Sequence, residues 1–218
     1  MRLETTVFPP SSMPNGLQVS KDGMWVIDQL SEEISLLNSR LETVHTIPTV
    51  AENASGIAFG GGYFWLGSNA PNRRRDRRST DSMASEVLQC DGETGELVAR
   101  FPTPDGGGIH GLEWVDGLLW ITAFRPKALK IIDPDGFRVV QTLEVPHQRL
   151  HGLSWDGDGM WTAHTTDKLI VKYDAETGEE MDRIEYPHDA PAPHGLTRWD
   201  GDLWSCDAEN PSLSRIVR

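Results

Sequence analysis

The stretch Ile109-His110-Gly111-Leu112-Glu113-Trp114-Val115-Asp116-Gly117-Leu118-Leu119-Trp120 contains the unit from which the whole chain is built. Its frame is a polar residue followed by Gly and then Leu or Ile. It returns at Asn15-Gly16-Leu17, Ser55-Gly56-Ile57, His151-Gly152-Leu153 and His194-Gly195-Leu196. The frame glycines lie 40, 55, 41 and 43 residues apart, a period near 40 that marks a repeat architecture. A turn running into Trp is the second landmark: SKDGMW ends at Trp25, GGGYFW at Trp65, VDGLLW at Trp120, DGDGMW at Trp161 and WDGDLW at Trp204. Turn residues between two short apolar runs predict a hairpin.

A third apolar run follows in each unit: Ile34 to Leu37, Val87 to Cys90, Ala128 to Ile132, Leu169 to Tyr173 and Leu213 to Val217. An Asp/Gly turn such as DGETG, DPDG or DAETG comes next, then a fourth run ending in Pro48, Pro102, Pro146 or Pro187. Four short antiparallel strands per unit predict a propeller blade. The fifth unit stops at Arg218 after its third strand, while Met1 to Phe8 precedes the first frame and ends at Pro9 as the other fourth strands end at proline. Joined circularly, the last gap is 39 residues, which matches the other periods and leaves no room for a sixth blade. The expectation is an all-β, closed five-bladed β-propeller over residues 1–218, its last blade completed by the N-terminal strand, Leu3 to Val7 pairing with Leu213 to Val217. An open sandwich of irregular hairpins would not explain a period that closes on itself.

Composition agrees with one domain: 218 residues, 38% hydrophobic, with 21 Gly and 14 Pro to serve many turns. No apolar run is long enough to span a membrane, and the charged, alternating start does not resemble a signal peptide. Cys90 and Cys206 fall in different blades, so no disulfide framework is indicated, and a reducing cytoplasmic address is expected. A net charge of −13 repels phosphate backbones and makes nucleic acid an unlikely partner.

Function is read from the residue just before each frame Gly-Leu. In a propeller the first strand of each blade lines the central axis, so the five slot residues Asn15, Ser55, His110, His151 and His194 should point toward one place. Seven His in the chain make three in five such slots a chance of roughly 3 in 10,000. Neutral imidazoles of His110, His151 and His194, with Asn15 and water or Ser55 completing the set, would ligate one divalent ion, and imidazole suits Zn, Fe, Mn, Co or Ni better than Ca or Mg. Three protein ligands with open positions are the arrangement of catalytic metal sites. The alternative is that each His only bonds loop backbone, a role Asn and Ser fill equally well.

Repeated "Gly-Leu, turn, apolar-Trp, then Asp-x-x-Gly" units resemble the streptogramin (virginiamycin B) lyase propellers and, more distantly, the gluconolactonase and glutaminyl cyclotransferase propellers. The resemblance covers the whole chain but is specific to architecture. Gluconolactonases place metal-binding Glu, Asn and Asp immediately before a Gly where the chain enters a blade, and the cyclotransferases carry a functional Glu in Glu-Gly-Leu. The matching slots here are Asn15, Ser55, His110, His151 and His194, without an acid, which argues against calcium-based lactone chemistry and against glutaminyl cyclotransfer. Streptogramin lyases use His functionally but are seven-bladed and larger. The resemblance thus implies the place of the site and metal dependence, not the reaction.

The loops joining second to third strands should emerge on the face of the slots. They carry Asp28 and Gln29, Ser68 to Ser85, Phe124, Arg125 and Lys127, His164 to Asp167, and Asp207 to Asn210. His164, Asp28 and Asp207 each follow their Trp by three residues and are candidates for a general base or for a carboxylate orienting a ligating His, or equally for loop-capping turn residues. His147 and His188 lie in the loops leading into blades and are further candidates. The 55-residue gap contains an extra polar segment, APNRRRDRRSTDSMA, which reads as a mobile lid over about 70–85. Arg73, Arg74 and Arg75, with Arg77, Arg78 and Arg125, would clamp a carboxylate, sulfate or phosphate. Replacing the five lid arginines with Ser is expected to leave melting within about 2 °C. The leading function is a metal-dependent lyase or hydrolase on a small anionic substrate. A non-haem Fe(II) oxygenase with a three-His site and a non-catalytic ligand- or protein-binding propeller are the alternatives.

Overall fold

A computed structural model describes residues 2–7, 12–125 and 127–217. Met1, Phe8 and Pro9, invoked above for the N-terminal strand, lie outside the described residues. The chain opens with β1 (Arg2–Val7). Blade 1 then comprises β2 (Pro14–Ser20), β3 (Gly23–Asp28), β4 (Glu33–Leu37) and β5 (Thr43–Pro48). Blade 2 comprises β6 (Ala54–Gly60), β7 (Tyr63–Asn69), β8 (Ser85–Asp91) and β9 (Leu97–Pro102). Blade 3 is β10 (Ile109–Val115), β11 (Leu118–Phe124), β12 (Lys127–Asp133) and β13 (Arg138–Glu144), and blade 4 is β14 (Leu150–Trp155), β15 (Gly159–His164), β16 (Leu169–Asp174) and β17 (Glu180–Glu185). Blade 5 holds β18 (Leu196–Trp199), β19 (Asp202–Asp207) and β20 (Ser212–Val217), and its order β1-β20-β19-β18 brings the N-terminal strand in as the fourth. Each sheet is four-stranded and antiparallel, so the protein is a five-bladed β-propeller closed by pairing of Leu3 with Ile216 and Val7 with Leu213.

Strand chemistry follows position. The second strand of blade 3 reads Leu-Leu-Trp-Ile-Thr-Ala-Phe and is buried nearly throughout, whereas the fourth strand of blade 4, Glu-Met-Asp-Arg-Ile-Glu, buries only Ile184. Central strands covered on both faces need apolar residues on both, while an outermost strand alternates weakly and carries charge that blunts its free edge. The hairpins between first and second strands use Gly61-Gly62, Asp116-Gly117 and Asp200-Gly201, each pair left-handed at both residues (φ 64 and 85, 49 and 86, 50 and 86), as a two-residue hairpin turn demands.

The core is divided among the five blade junctions. Trp25 packs with Phe64 and Leu88 of blade 2, Trp65 with Leu112 and Ile121 of blade 3, and Trp120 with Leu153 and Tyr173 of blade 4. Trp161 packs with Leu196 and Ile216 of blade 5, and Trp204 with Leu17 and Met24 of blade 1. The repeated Trp is therefore the apolar face each blade offers the next, and the last junction closes the ring. No helix among the described residues is long and apolar enough to cross a membrane.

Candidate functional site

In blades 1 to 4 the pairing of first and second strands slips by one residue across the slot and its glycine: between Pro14 and Gly16, Ala54 and Ile57, Ile109 and Leu112, and Leu150 and Leu153. An extra residue on one strand is a β-bulge, which re-aims the side chain it carries. The glycine is required by close approach. A Cβ at Gly56 would stand 2.0 Å from His110 O, at Gly111 2.0 Å from His151 O, and at Gly152 2.5 Å from His194 O. These glycines, with Leu17, Ile57, Leu112, Leu153 and Leu196, plug the axis so that no room remains for a water molecule. The slot residues sit on one side of this plug.

The structure brings the three histidines together. His110 and His151 rings stack with centroids 4.1 Å apart and 15° between planes, and His194 meets His151 edge-on at 4.8 Å. Phe124 closes on His110 at 5.0 Å. Burial holds all three imidazoles neutral, His110 down to about 3, and the charges of Arg149 and of neighbouring imidazoles push the same way. His194 Nδ1 is 3.1 Å from Ala192 O and 3.5 Å from Asp207 Oδ1, so Nδ1 carries the hydrogen and Nε2 keeps the lone pair. The 3.4 Å approach of the Ala208 amide to that same Nδ1 is then a contact and not a second hydrogen bond.

Four buried polar atoms of this layer have no partner: Asn15 Oδ1, His110 Nδ1, and both His151 ring nitrogens. Since buried polar groups are nearly always paired, two bare nitrogens on one buried imidazole make this layer the candidate site. The donor set suits a transition metal. The ring orientations do not yet converge, because stacked rings direct their in-plane lone pairs side by side. Among the described residues no group of three or more His, Cys, Asp or Glu is arranged to hold a metal ion. Metal uptake thus requires one ring of the stacked pair to swing.

Asn15 donates through Nδ2 to Gln29 Oε1 at 3.1 Å, Gln29 donates to Asn53 Oδ1 at 2.8 Å, and Arg74 reaches that same oxygen at 3.3 Å. Ser55 donates its hydroxyl hydrogen to Ile109 O at 2.6 Å.

The residue three after the Trp has a common structural task in four of the five blades, blade 3 having Ala123 there. Asp28 accepts from the Met13, Leu30 and Ser31 amides, each at 2.7 Å. Asp207 accepts from Ala192 at 3.0 Å, Glu209 at 2.8 Å and Asn210 at 3.3 Å. Ser68 bonds the Glu52 amide, and His164 lies 3.3 Å from Gln148 O while its Nε2 meets the Tyr173 hydroxyl at 2.9 Å. All four clip the loop leading into the blade onto the second strand. Of the three candidates for base or orienting carboxylate, Asp207 alone stands beside an axial imidazole. His147 lies between Asp167 (3.7 Å) and Glu180 (3.5 Å), and His188 is exposed, its carbonyl taking Lys168 Nζ.

The lid expectation needs correcting. Arg75 forks onto both oxygens of Asp81 at 2.7 Å and reaches Glu32 at 2.7 Å, and Arg78 joins Glu32 at 3.0 Å. The Glu32 side chain is fully buried and also takes the Asn53 amide and Asn72 Nδ2. Glu52 holds the Asn72 and Met83 amides. A buried carboxylate cannot stay charged without partners, and the inserted loop supplies them, so Arg75 and Arg78 serve the scaffold. Arg73, Arg74, Arg77 and Arg125 remain exposed. Arg75→Ala should cost about 2 kcal/mol, the lower side of a broken buried pair because the guanidinium keeps some solvent, or roughly 6 °C in melting temperature. The Arg75 guanidinium holds the Asp81 carboxyl down at about 2 against an ordinary 3.8. That contribution is complete above pH 3.8 and fades as pH falls toward 2, so parent and variant melting curves should draw together over that window. Identical melting temperatures at pH 7 would return the loop to a free lid.

Two residues escaped the sequence reading. Arg149, two positions before His151, bears a charge felt by all three axial imidazoles. The same offset in blade 2 is Asn53, and both are left-handed (φ 48 and 55), but Met13, Gly108 and Ala192 hold it in the other blades, so slot counting gave no signal. Glu113 is buried beyond the glycine plug, where it accepts from the Trp114 and Trp155 amides, and burial pushes its carboxyl up to about 7.

No known family profile and no curated protein matches the chain. Solved structures do. A glutaminyl cyclase from Myxococcus xanthus superposes with a TM-score of 0.74 at 14% identity over 99% of this chain and 95% of that one. A streptogramin B lyase gives 0.58 at 20% identity, covering 99% and 70%. A catalytically inactive virginiamycin B lyase from Staphylococcus aureus, with quinupristin, gives 0.59 at 18% identity, covering 99% and 71%. At such identities the likeness is one of fold. The cyclase superposes better than either lyase, the reverse of the order the sequence units implied.

Proposed function

We propose that the axial cluster is the site of a lyase or hydrolase that acts on a small anionic molecule with the help of a divalent transition metal. The carrying observation is the set of partnerless donors at the axis, Asn15 Oδ1, His110 Nδ1 and both nitrogens of His151, beside the fixed lone pair of His194. Neutral imidazoles are ready to ligate at pH 7 without losing a proton. When bound, the metal would polarise a carbonyl or activate water. Asp207, 3.5 Å from His194 Nδ1, holds that ring's orientation, and Phe124 covers His110 and limits water. That similar folds belong to a cyclase and a lyase supports an enzyme in general, not this reaction.

Cobalt titration followed by visible absorption tests the reading. Parent protein is expected to saturate at one ion per chain, and His151→Ala should weaken uptake by more than about a hundredfold, beyond the loss from removing a group that merely orients a ligand. Absence of saturable uptake of Co, Zn, Ni or Fe(II) by the parent would sink the metal. The stacked pair favours the second reading in that event, a propeller whose imidazoles bond an organic ligand directly.

A further inference from the structure

We propose that Arg149 is the oxyanion anchor of the axial site: its guanidinium and the unpartnered His151 imidazole N–H together take one carboxylate, phosphate or sulfate group of the ligand. This rests on the axial cluster being the functional site, but not on its holding a metal.

Arg149 sits where the chain turns from the loop into β14, with a left-handed backbone (φ 48) and its carbonyl taking the Thr165 amide at 3.3 Å. A long non-glycine residue with positive φ is uncommon and is kept where its surroundings hold it. At the same offset in blade 2, Asn53 points its side chain across the same face and joins the chain of hydrogen bonds to Asn15. Blades 2 and 4 thus carry a polar side chain at this position, where blades 1, 3 and 5 have Met13, Gly108 and Ala192.

In a protein of net charge −13, cations normally find carboxylates: Arg75 pairs with Asp81, Arg100 with Glu86, and Arg183 with Glu180. Among the described residues the exposed Arg149 has neither a carboxylate partner nor a side-chain hydrogen bond, although its charge reaches His110, His151 and His194. At the axis the His194 N–H is taken by Ala192 O, whereas His151 gives its own to nothing. An unpaired planar fork of donors whose charge reaches the rings, and the unused N–H of His151, match an oxyanion in chemistry and charge. Carboxylate, phosphate and sulfate share this chemistry. With Arg75 and Arg78 tied to Glu32, recognition of the anion passes from the inserted loop to Arg149.

The test uses full-length protein freed of metal with EDTA. Acetate, inorganic phosphate and sulfate are titrated separately at constant ionic strength in chloride, with the histidine ring-proton shifts as readout. Saturable shifts of His151 are expected with at least one of the three, and which one binds tightest identifies the group. Arg149→Gln should weaken that binding by at least about tenfold, Arg149→Lys by less because it keeps charge but loses the fork, while a double Arg73→Ser and Arg77→Ser control leaves it unchanged. Equal affinity in Arg149→Gln, or no saturable shift with any of the three, overturns the proposal. Cobalt titration of the same variants separates the two readings. If Arg149→Gln takes up metal like the parent but loses the anion, both stand. Anion binding in a parent that takes no metal removes only the metal, and metal uptake with Arg149-independent anion binding removes only the anchor.

Discussion

A protein lacking residues 1–8 should form soluble oligomers or precipitate, with any folded fraction melting more than about 15 °C below the parent. Its fifth blade would keep β18, β19 and β20, leaving β20 as a free edge. That edge is far more buried than the outer strands of the other blades: Leu213 and Ile216 are buried, and Leu3 packs over the junction holding Trp161 and Ile184. Losing β1 strips the backbone partners of Leu213, Ser214, Arg215, Ile216 and Val217 at once. An unpaired, apolar strand recruits another chain's strand. Light scattering after gel filtration and a thermal melt check this, and adding the missing segment as a peptide should restore a monomer. A truncated chain that stays monomeric with parental melting would mean that β1 is an ornament on an already closed ring.

Gly111→Ala should be nearly as damaging, at about 3 kcal/mol or more, the upper end for an overpacked site, and about 10 °C in melting temperature. The added carbon would lie 2.0 Å from His151 O and 3.1 Å from Leu153 Cγ, so blades 3 and 4 would have to part at the axis. Flexible side chains could yield, but a backbone carbonyl inside a five-part ring has nowhere to go. Because the carbonyl belongs to His151, the variant should also disturb the axial imidazoles, and His151 ring signals should shift. Gly107→Ala is the control, with its nearest neighbour atom at 3.4 Å. Melting of Gly111→Ala within 2 °C of that control would show that the axis is looser than the structure has it.

Both variants probe features legible from the repeat. The frame glycine, the hairpin before each Trp and the circular gap announced the blade count and the N-terminal strand, because strand periodicity and turn chemistry are local and recur five times. The same repetition located His110, His151 and His194 around one axis, since equivalent positions in a closed ring must face each other. The reason for the glycine was not local: Gly56 and Gly111 are small because the next blade's carbonyl stands against them. The bulge that turns each slot side chain was likewise hidden, for it exists only as a mismatch between two strands.

Charge and polarity at single positions misled where partners come from distant blades. Arg75 read as solvent-facing because its own loop is polar, yet Glu32, buried in blade 1, claims it across 43 residues. Asp28 and Asp207 read equally as chemistry or as loop caps, and both cap loops, since a carboxylate at the end of a strand finds backbone amides first, while Asp207 also stands beside His194. Arg149, standing alone in sequence, gained meaning only when the fold brought its charge within reach of three neutral rings. The sequence by itself determined the architecture and the meeting of the three histidines, because those depend on pattern and period. Tertiary structure decided which charged groups are spent on the scaffold and which are left for a ligand, because burial and pairing are properties of neighbours that only folding brings together.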